Sequence, residues 1–261
     1  MDHIMIDIYM CKINSENLIS SSSVLLNYVS DQKKQKIKNN HNSISSSQSL
    51  VGEILVRISI CSNLQISNNK VTFHTNEYKK PLLKYPSGYF SNISHSGDWV
   101  VSAFCQKPVG VDIERIKSID YGGAKDFFAH KEFSLLMNKE ESKRLTYFFE
   151  VWTLKESYVK AIGKGMTYPL NKFCITYDGC KFYINDESIK SKASFQQFTV
   201  DEQHIMSICA FSSMNSSIRV VSLQQLEYLV PQLNNPEALL RCMRELDLSV
   251  SVYESEGKFS L

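Results

Sequence analysis

Ile4–Met10, apolar but for Asp7, has enough of a two-residue rhythm to predict a strand. A polar break at Ser20–Ser23, a plausible helix start, leads into apolar Val24–Tyr28. The basic run Lys33, Lys34, Lys36, Lys38 follows. Asn39–Ser49 is rich in Asn and Ser and predicts a loop. The rhythm then becomes helical: over Ser49–Leu64, Leu50, Ile54 and Ile58 fall on one face with Leu55 beside them. Short strands are predicted at Val71–Phe73 and Gly88–Asn92, with Tyr78-Lys79-Lys80-Pro81 as a basic turn between them. Two more, Trp99–Phe104 and Pro108–Glu114, are joined by Gln106-Lys107. Helices are predicted over Asp126–Leu136 and Tyr147–Ile162. Phe173–Tyr177, Lys181–Ile184, Ala193–Val200 and His204–Phe211 predict an antiparallel meander, and Gln224–Leu261 a helical tail. The pattern is α+β, in two halves that meet near residue 107.

Composition narrows the function classes. The chain has 261 residues, 43% hydrophobic and 21% charged, enough for one large domain or two small ones. A net charge of +2 argues against a dedicated nucleic-acid binder, so any phosphate chemistry must come from local clusters. Met1–Met10 carries Asp2 and Asp7 and has no basic segment before an apolar run, unlike a secretory signal. No run approaches the roughly 18 apolar residues of a membrane span. Seven cysteines, an odd number with no CxxC, predict reduced thiols and a cytoplasmic setting.

Two clusters carry candidate chemistry. Val109-Gly110-Val111-Asp112-Ile113-Glu114 alternates, so Val111 and Ile113 are expected to face the core while Asp112 and Glu114 face outward together. Two carboxylates this close repel unless a positive charge lies between them, and a hard divalent cation such as Mg²⁺ takes oxygen ligands. Solvated acids on an edge strand are the plainer alternative. In the helix around Trp152, Phe148, Val151, Tyr158 and Ile162 form one apolar stripe that Lys155 interrupts. A lysine there wants a partner. Glu156 and Lys160 lie one turn apart, as in a surface ion pair, or could serve a metal site begun on the strand. Gly163 marks the helix end.

Together, Gly-Val-Asp112-Ile-Glu114 and Trp152-Thr-Leu-Lys155-Glu156-Ser-Tyr-Val-Lys160 resemble the signature pair of the 4'-phosphopantetheinyl transferases. Phe90-Ser-Asn92-Ile-Ser94-His95-Ser96-Gly97 is similar to a third block of that family, with Ser91 as an extra residue. The length matches the long, surfactin-synthetase-activating branch rather than the shorter, trimeric holo-acyl-carrier-protein synthases. The resemblance implies a monomeric pseudo-dimer of two similar α+β halves with the active site at their interface. Residues 1–107 would contact the adenosine and phosphates of coenzyme A. Residues 108–227 would hold the metal, the catalytic helix and the carrier-docking surface. The tail 228–261 lies outside the resemblance and has no assigned role.

The implied activity is Mg²⁺-dependent transfer of 4'-phosphopantetheine from coenzyme A to a serine of an apo carrier protein, releasing adenosine 3',5'-bisphosphate. Asp112, Glu114 and Glu156 match the metal ligands and Lys160 the lysine at the pyrophosphate; Asp112 and Lys160 thereby also belong to the coenzyme A site. Lys155 matches the other signature lysine, in phosphate contact or helix positioning. Lys33, Lys36, Ser49, Lys80, Pro81, Ser94 and His95 match coenzyme A contacts. The segment from Gly163 to about Ser194, with Gly165, Met166 and Pro169, matches the carrier-docking region. Two positions depart from the family pattern: Gln48 stands where an Arg is frequent, and Lys79 where a Gly is. The alternatives are another Mg²⁺-dependent phosphotransfer enzyme, or a non-catalytic module binding coenzyme A or a carrier.

Overall fold

A computed structural model describes residues 3–13, 23–39, 44–78, 80–189, 192–248, 250–254 and 256–261. In chain order the strands and helices are β1 (Ile4–Lys12), α1 (Asp31–Asn39), α2 (Ile44–Leu64), β2 (Thr72–Thr75), β3 (Pro81–Tyr85), β4 (Phe90–Ser96), β5 (Trp99–Cys105) and β6 (Val109–Arg115). Next come α3 (His130–Met137), α4 (Glu141–Ile162), β7 (Cys174–Tyr177), β8 (Phe182–Asn185), β9 (Ser194–Asp201), β10 (His204–Ala210) and β11 (Met214–Ser222). The chain closes with α5 (Leu223–Leu229), α6 (Pro236–Glu245), β12 (Val250–Tyr253) and β13 (Gly257–Ser260). It divides into two compact units. The first comprises Met5–Gln106 and Ser216–Tyr253; the second comprises Lys107–Asn215 with Met1–Ile4 and Glu254–Leu261.

The first unit is a five-stranded sheet ordered β12-β11-β1-β5-β4, with α2 against β4 and β5. The helix lies so close to the sheet that a Cβ at Gly52 would overlap Ile93 of β4. Leu50, Ile54, Leu55 and Ile58 join Tyr9, Val100 and Phe104 in one core. A helix buried this thoroughly needs partners for its charges. Glu53 accepts from Arg57 Nε and Nη2 at 3.0 and 2.9 Å, and Arg57 Nη1 donates to Asn68 Oδ1 at 2.8 Å. The helix begins at Ile44, five residues before its predicted start, inside the segment expected to be a loop.

The segment read as a helical tail is helical only to Glu245. Leu226, Leu229, Leu233 and Leu239 enter the first core, β12 pairs antiparallel with β11, and β13 pairs parallel with β9 of the other sheet. Strand pairing partners distant in sequence leave no local pattern, so these edge strands were not predicted. Likewise β3 begins within the expected basic turn. Asn76 Oδ1 accepts from the amides of Tyr78 and Lys80, tightening the turn ahead of Pro81.

The second unit is a four-stranded sheet ordered β13-β9-β10-β6, covered by α4. The expected meander splits: β7 and β8 form their own two-stranded sheet, and only β9 and β10 join the larger one. Cross-strand register places Asp112, Ser207, Gln197 and Lys258 in one row. Thr153 of α4 shares a 2.8 Å hydrogen bond with Ser207, and Gln197 Nε2 donates to Ser207 Oγ and to the Glu150 carbonyl, at 2.9 and 2.8 Å. Gly163, with φ 82°, ends α4 in the left-handed conformation, its N–H donating to the Val159 carbonyl.

Candidate active site

The strand β6 and helix α4 build the acidic site of the second unit. Gly110, Asp112 and Glu114 share one strand face. A Cβ on Gly110 would collide with the backbone of Ser157 and Ala161, so α4 lies on this face. Asp112 and Glu114 do share one face, as expected, but that face lies against α4, so the alternative of solvated edge-strand acids does not hold for Asp112. Asp112 is 3% exposed beneath the helix and Glu114 is half-buried, because glycine at 110 leaves room for the helix backbone.

Lys160 Nζ lies 2.6 Å from Asp112 Oδ1. Glu156, one turn earlier, is buried, and its Oε1 accepts no hydrogen bond among the described residues. Burial pushes its carboxyl up to about 7; the negative charge of Asp112 and, more weakly, that of Glu114 act the same way, and Lys160 opposes them. The two strand acids thus act electrostatically on the helix acid. No three His, Cys, Asp or Glu side chains among the described residues stand where they could together hold a metal ion. The donor set nevertheless fits a hard cation by kind. It offers carboxylate oxygens, one of them buried and without a hydrogen bond among the described residues, where added positive charge would offset the burial and the repulsion that raise Glu156.

Lys155 requires a second correction. It is fully buried, its Nζ 2.6 Å from Glu132 Oε2 and donating to the Phe173 carbonyl at 2.8 Å, above the Phe173 ring. Glu132 also accepts from the amides of Ala129 and Ile175, both at 2.8 Å. An ammonium enclosed in this way is turned away from any phosphate contact as it stands, and its partners are those of a helix-positioning residue. Glu132 was missed in the sequence. Its signals were a Glu at the third position of a helix, reaching back to the preceding amide, and a lysine in an apolar stripe that wanted a partner. Trp152 is packing: its ring stacks on Phe148 at 5.9 Å and meets Phe127 edge-on.

In the first unit, Lys33, Lys36, Ser49, Lys80 and Pro81 line one cavity of about 240 Å³. Lys33 Nζ donates to Ser49 Oγ at 2.6 Å and lies 3.9 Å from Glu53 Oε2. Its burial lowers its pKa, with Glu53 opposing. The other side of the cavity carries Phe73 and His74 of β2 and Asn92 of β4. Ser94 and His95 stand farther along β4, outside the wall of this cavity. Glu53 was not singled out in the sequence, although Glu53 and Arg57 at i,i+4 in an apolar helix were a signal. Gln48 is buried and donates to the Gly97 carbonyl at 2.9 Å, holding the turn between β4 and β5. Lys79 lies outside the described residues.

After α4 the chain makes short helical turns at Gly165–Thr167 and Leu170–Lys172. Tyr158 and Tyr168 both donate to Asp186 Oδ2, at 2.9 and 2.6 Å, tying this segment to the end of β8. The side chain of Met166 lies outside the described residues. The seven cysteines form no disulfide among the described residues. Among the described residues no helix is long and apolar enough to cross a membrane.

Residues 108–209 match the family model described as the 4'-phosphopantetheinyl transferase superfamily, and residues 19–107 match 4'-phosphopantetheinyl transferase, N-terminal. The chain is 36% identical over 220 residues to 4'-phosphopantetheinyl transferase gsp of Aneurinibacillus migulanus, covering 84% of this chain and 92% of that protein. It is 34% identical over 205 residues to 4'-phosphopantetheinyl transferase Sfp of Bacillus subtilis strain 168, covering 77% and 91%. It is 34% identical over 188 residues to 4'-phosphopantetheinyl transferase ffp of Bacillus subtilis, covering 71% and 84%.

Proposed function

The chain belongs to the 4'-phosphopantetheinyl transferases, and from that premise we propose that it moves phosphopantetheine from coenzyme A to a carrier-protein serine at the acidic face of β6. The family assignment makes it a transferase that uses coenzyme A. The observation that carries the site is Lys160 on Asp112 beside the buried, unsatisfied Glu156.

The family resemblance gives Asp112, Glu114 and Glu156 to Mg²⁺; the three do not converge as they stand, so their side chains would have to turn toward the ion, whose charge would neutralise that of the diphosphate. Lys160, now paired with Asp112, is on a side chain one-quarter exposed and can turn to the diphosphate, where it stabilises the charge that develops on the leaving adenosine 3',5'-bisphosphate. Glu156, buried next to Asp112 and Lys160, is the carboxylate that would accept the serine proton as the oxygen attacks phosphorus and the bond to the leaving bisphosphate breaks. Lys33, Lys36 and Lys80 give the cavity of the first unit a positive wall suited to the phosphate on the adenosine. The acceptor is an apo peptidyl or acyl carrier, and the enzyme works as a cytoplasmic monomer. The segment Gly163 to about Ser194, after α4, would dock the carrier.

Intact-mass spectrometry of an apo carrier incubated with the enzyme, coenzyme A and Mg²⁺ tests the reading. The carrier should gain one phosphopantetheine, and the gain should vanish with chelator. An unchanged carrier across peptidyl, aryl and acyl types would overturn it.

A further inference from the structure

We propose that the second unit carries a second ligand site, for a small amphipathic anion, in a cavity of about 370 Å³ that shares no residue with the acidic site. Its volume falls within the range of small-molecule pockets. The site is bounded by α3, α4, the β7–β8 pair and the edge strand β13, whereas Asp112 and Glu114 lie on β6 at the opposite edge of the sheet.

The wall has the chemistry of a binding site rather than of a packing defect. Leu135, Val151, Leu154, Ile175 and Phe182 supply an apolar surface. Lys131, Lys139 and Lys258 contribute three ammoniums against one carboxylate, Glu150, which lies 2.8 Å from Lys258. The surplus charge favours an anion. Tyr147 also lines the site; burial pushes its pKa up to about 12, so it remains a hydroxyl donor at neutral pH.

Gln197 supplies the second, independent observation. It is 3% exposed and lines the cavity. Its amide nitrogen is committed to Ser207 and the Glu150 carbonyl, but its Oε1 accepts no hydrogen bond among the described residues. That oxygen is enclosed where it stands, so a ligand N–H or O–H would reach it as the Gln197 amide turns toward the cavity. The ligand class is therefore a molecule with an apolar or aromatic body, one anionic group for the lysines, and one donor for Gln197.

1-Anilinonaphthalene-8-sulfonate has all three features and is the probe. Titrated into the full chain with coenzyme A at saturating concentration, it should show saturable fluorescence enhancement. In wild-type protein its amide chemical-shift changes should cluster at Ile175–Tyr177 and Gln197. The double variant Lys131→Glu/Lys139→Glu reverses the sign of the rim and should weaken the probe at least tenfold. Shift changes confined to the cavity lined by Lys33 and Ser49, loss of all binding under coenzyme A, or undiminished affinity in the double variant would each overturn the proposal. The mapping on wild-type protein decides the matter even if the double variant fails to fold. Because every readout lies on the second unit's far edge, the outcome is independent of whether transfer to a carrier is observed.

Discussion

Replacing Lys155 by Met removes a buried ammonium while keeping most of its aliphatic volume, so the cost is electrostatic rather than a cavity. Both members of the pair are fully buried, 2.6 Å apart. Removing one partner of such a pair costs about 3–5 kcal/mol, because the other charge stays desolvated. Glu132 would retain the amides of Ala129 and Ile175, which places the expected loss near the lower end, about 3 kcal/mol. Native domains are stable by about 5–15 kcal/mol, so the variant should fold. Urea unfolding followed by circular dichroism would measure the loss as a lower midpoint at unchanged slope. Glu132→Gln should cost a similar amount, since an amide cannot accept from both backbone donors and the ammonium as a carboxylate does. The double variant Lys155→Met/Glu132→Gln should lose clearly less than the sum of the two singles, because no buried charge remains without its counterion. A Lys155→Met protein within about 1 kcal/mol of wild type, or strict additivity in the cycle, would show that the pair does not fasten α4 to α3.

Lys160→Met should behave in the opposite way: turnover in the carrier mass assay falls about 100- to 1,000-fold, the cost of losing one preorganised charge at the leaving group, while Lys155→Met retains most of its turnover per folded molecule. Gly110→Ala puts a methyl group into the backbone of α4 at Ser157 and Ala161; it should lower stability by several kcal/mol and turnover by at least tenfold, whereas an unaltered variant would contradict the close helix–strand approach. In chelator-treated protein, Glu156 contributes a stability that declines with pH. The unfolded chain releases the proton from about 4.5 upward and the folded chain only near 7, so up to about 3 kcal/mol is lost across that window. Unfolding measured from pH 4 to 8 should show this fall for wild type and not for Glu156→Gln. Lys33→Ala and Lys36→Ala should each weaken coenzyme A binding by about tenfold in calorimetric titrations, and less at high salt, because a charge-assisted hydrogen bond contributes about 1.5–3 kcal/mol before screening.

Most local structure was legible because its signals are local. The period of Ile4–Met10 and the stripe through Leu50, Ile54 and Ile58 mark a strand and a helix wherever they occur. The acidic strand and the helix bearing Glu156 and Lys160 were legible for the same reason, as short motifs with fixed spacing. The burial of Asp112, the enclosure of Lys155 by Glu132 and Phe173, and the capture of β12 and β13 by the two sheets were not. Each depends on a partner far along the chain: Glu132 stands 23 residues from Lys155, and β13 pairs with a strand some sixty residues earlier.

By itself, then, the chain's sequence determined which side chains stand two apart on a strand and four apart on a helix, and so which acids and lysines were available for chemistry. Only the tertiary structure decided that Lys155 is enclosed with Glu132 while Lys160 keeps a partly exposed side chain beside Asp112. Burial and partner geometry set what a charged group can do, and those follow from how the helix lies on the sheet, a relation that a single missing side chain at Gly110 controls.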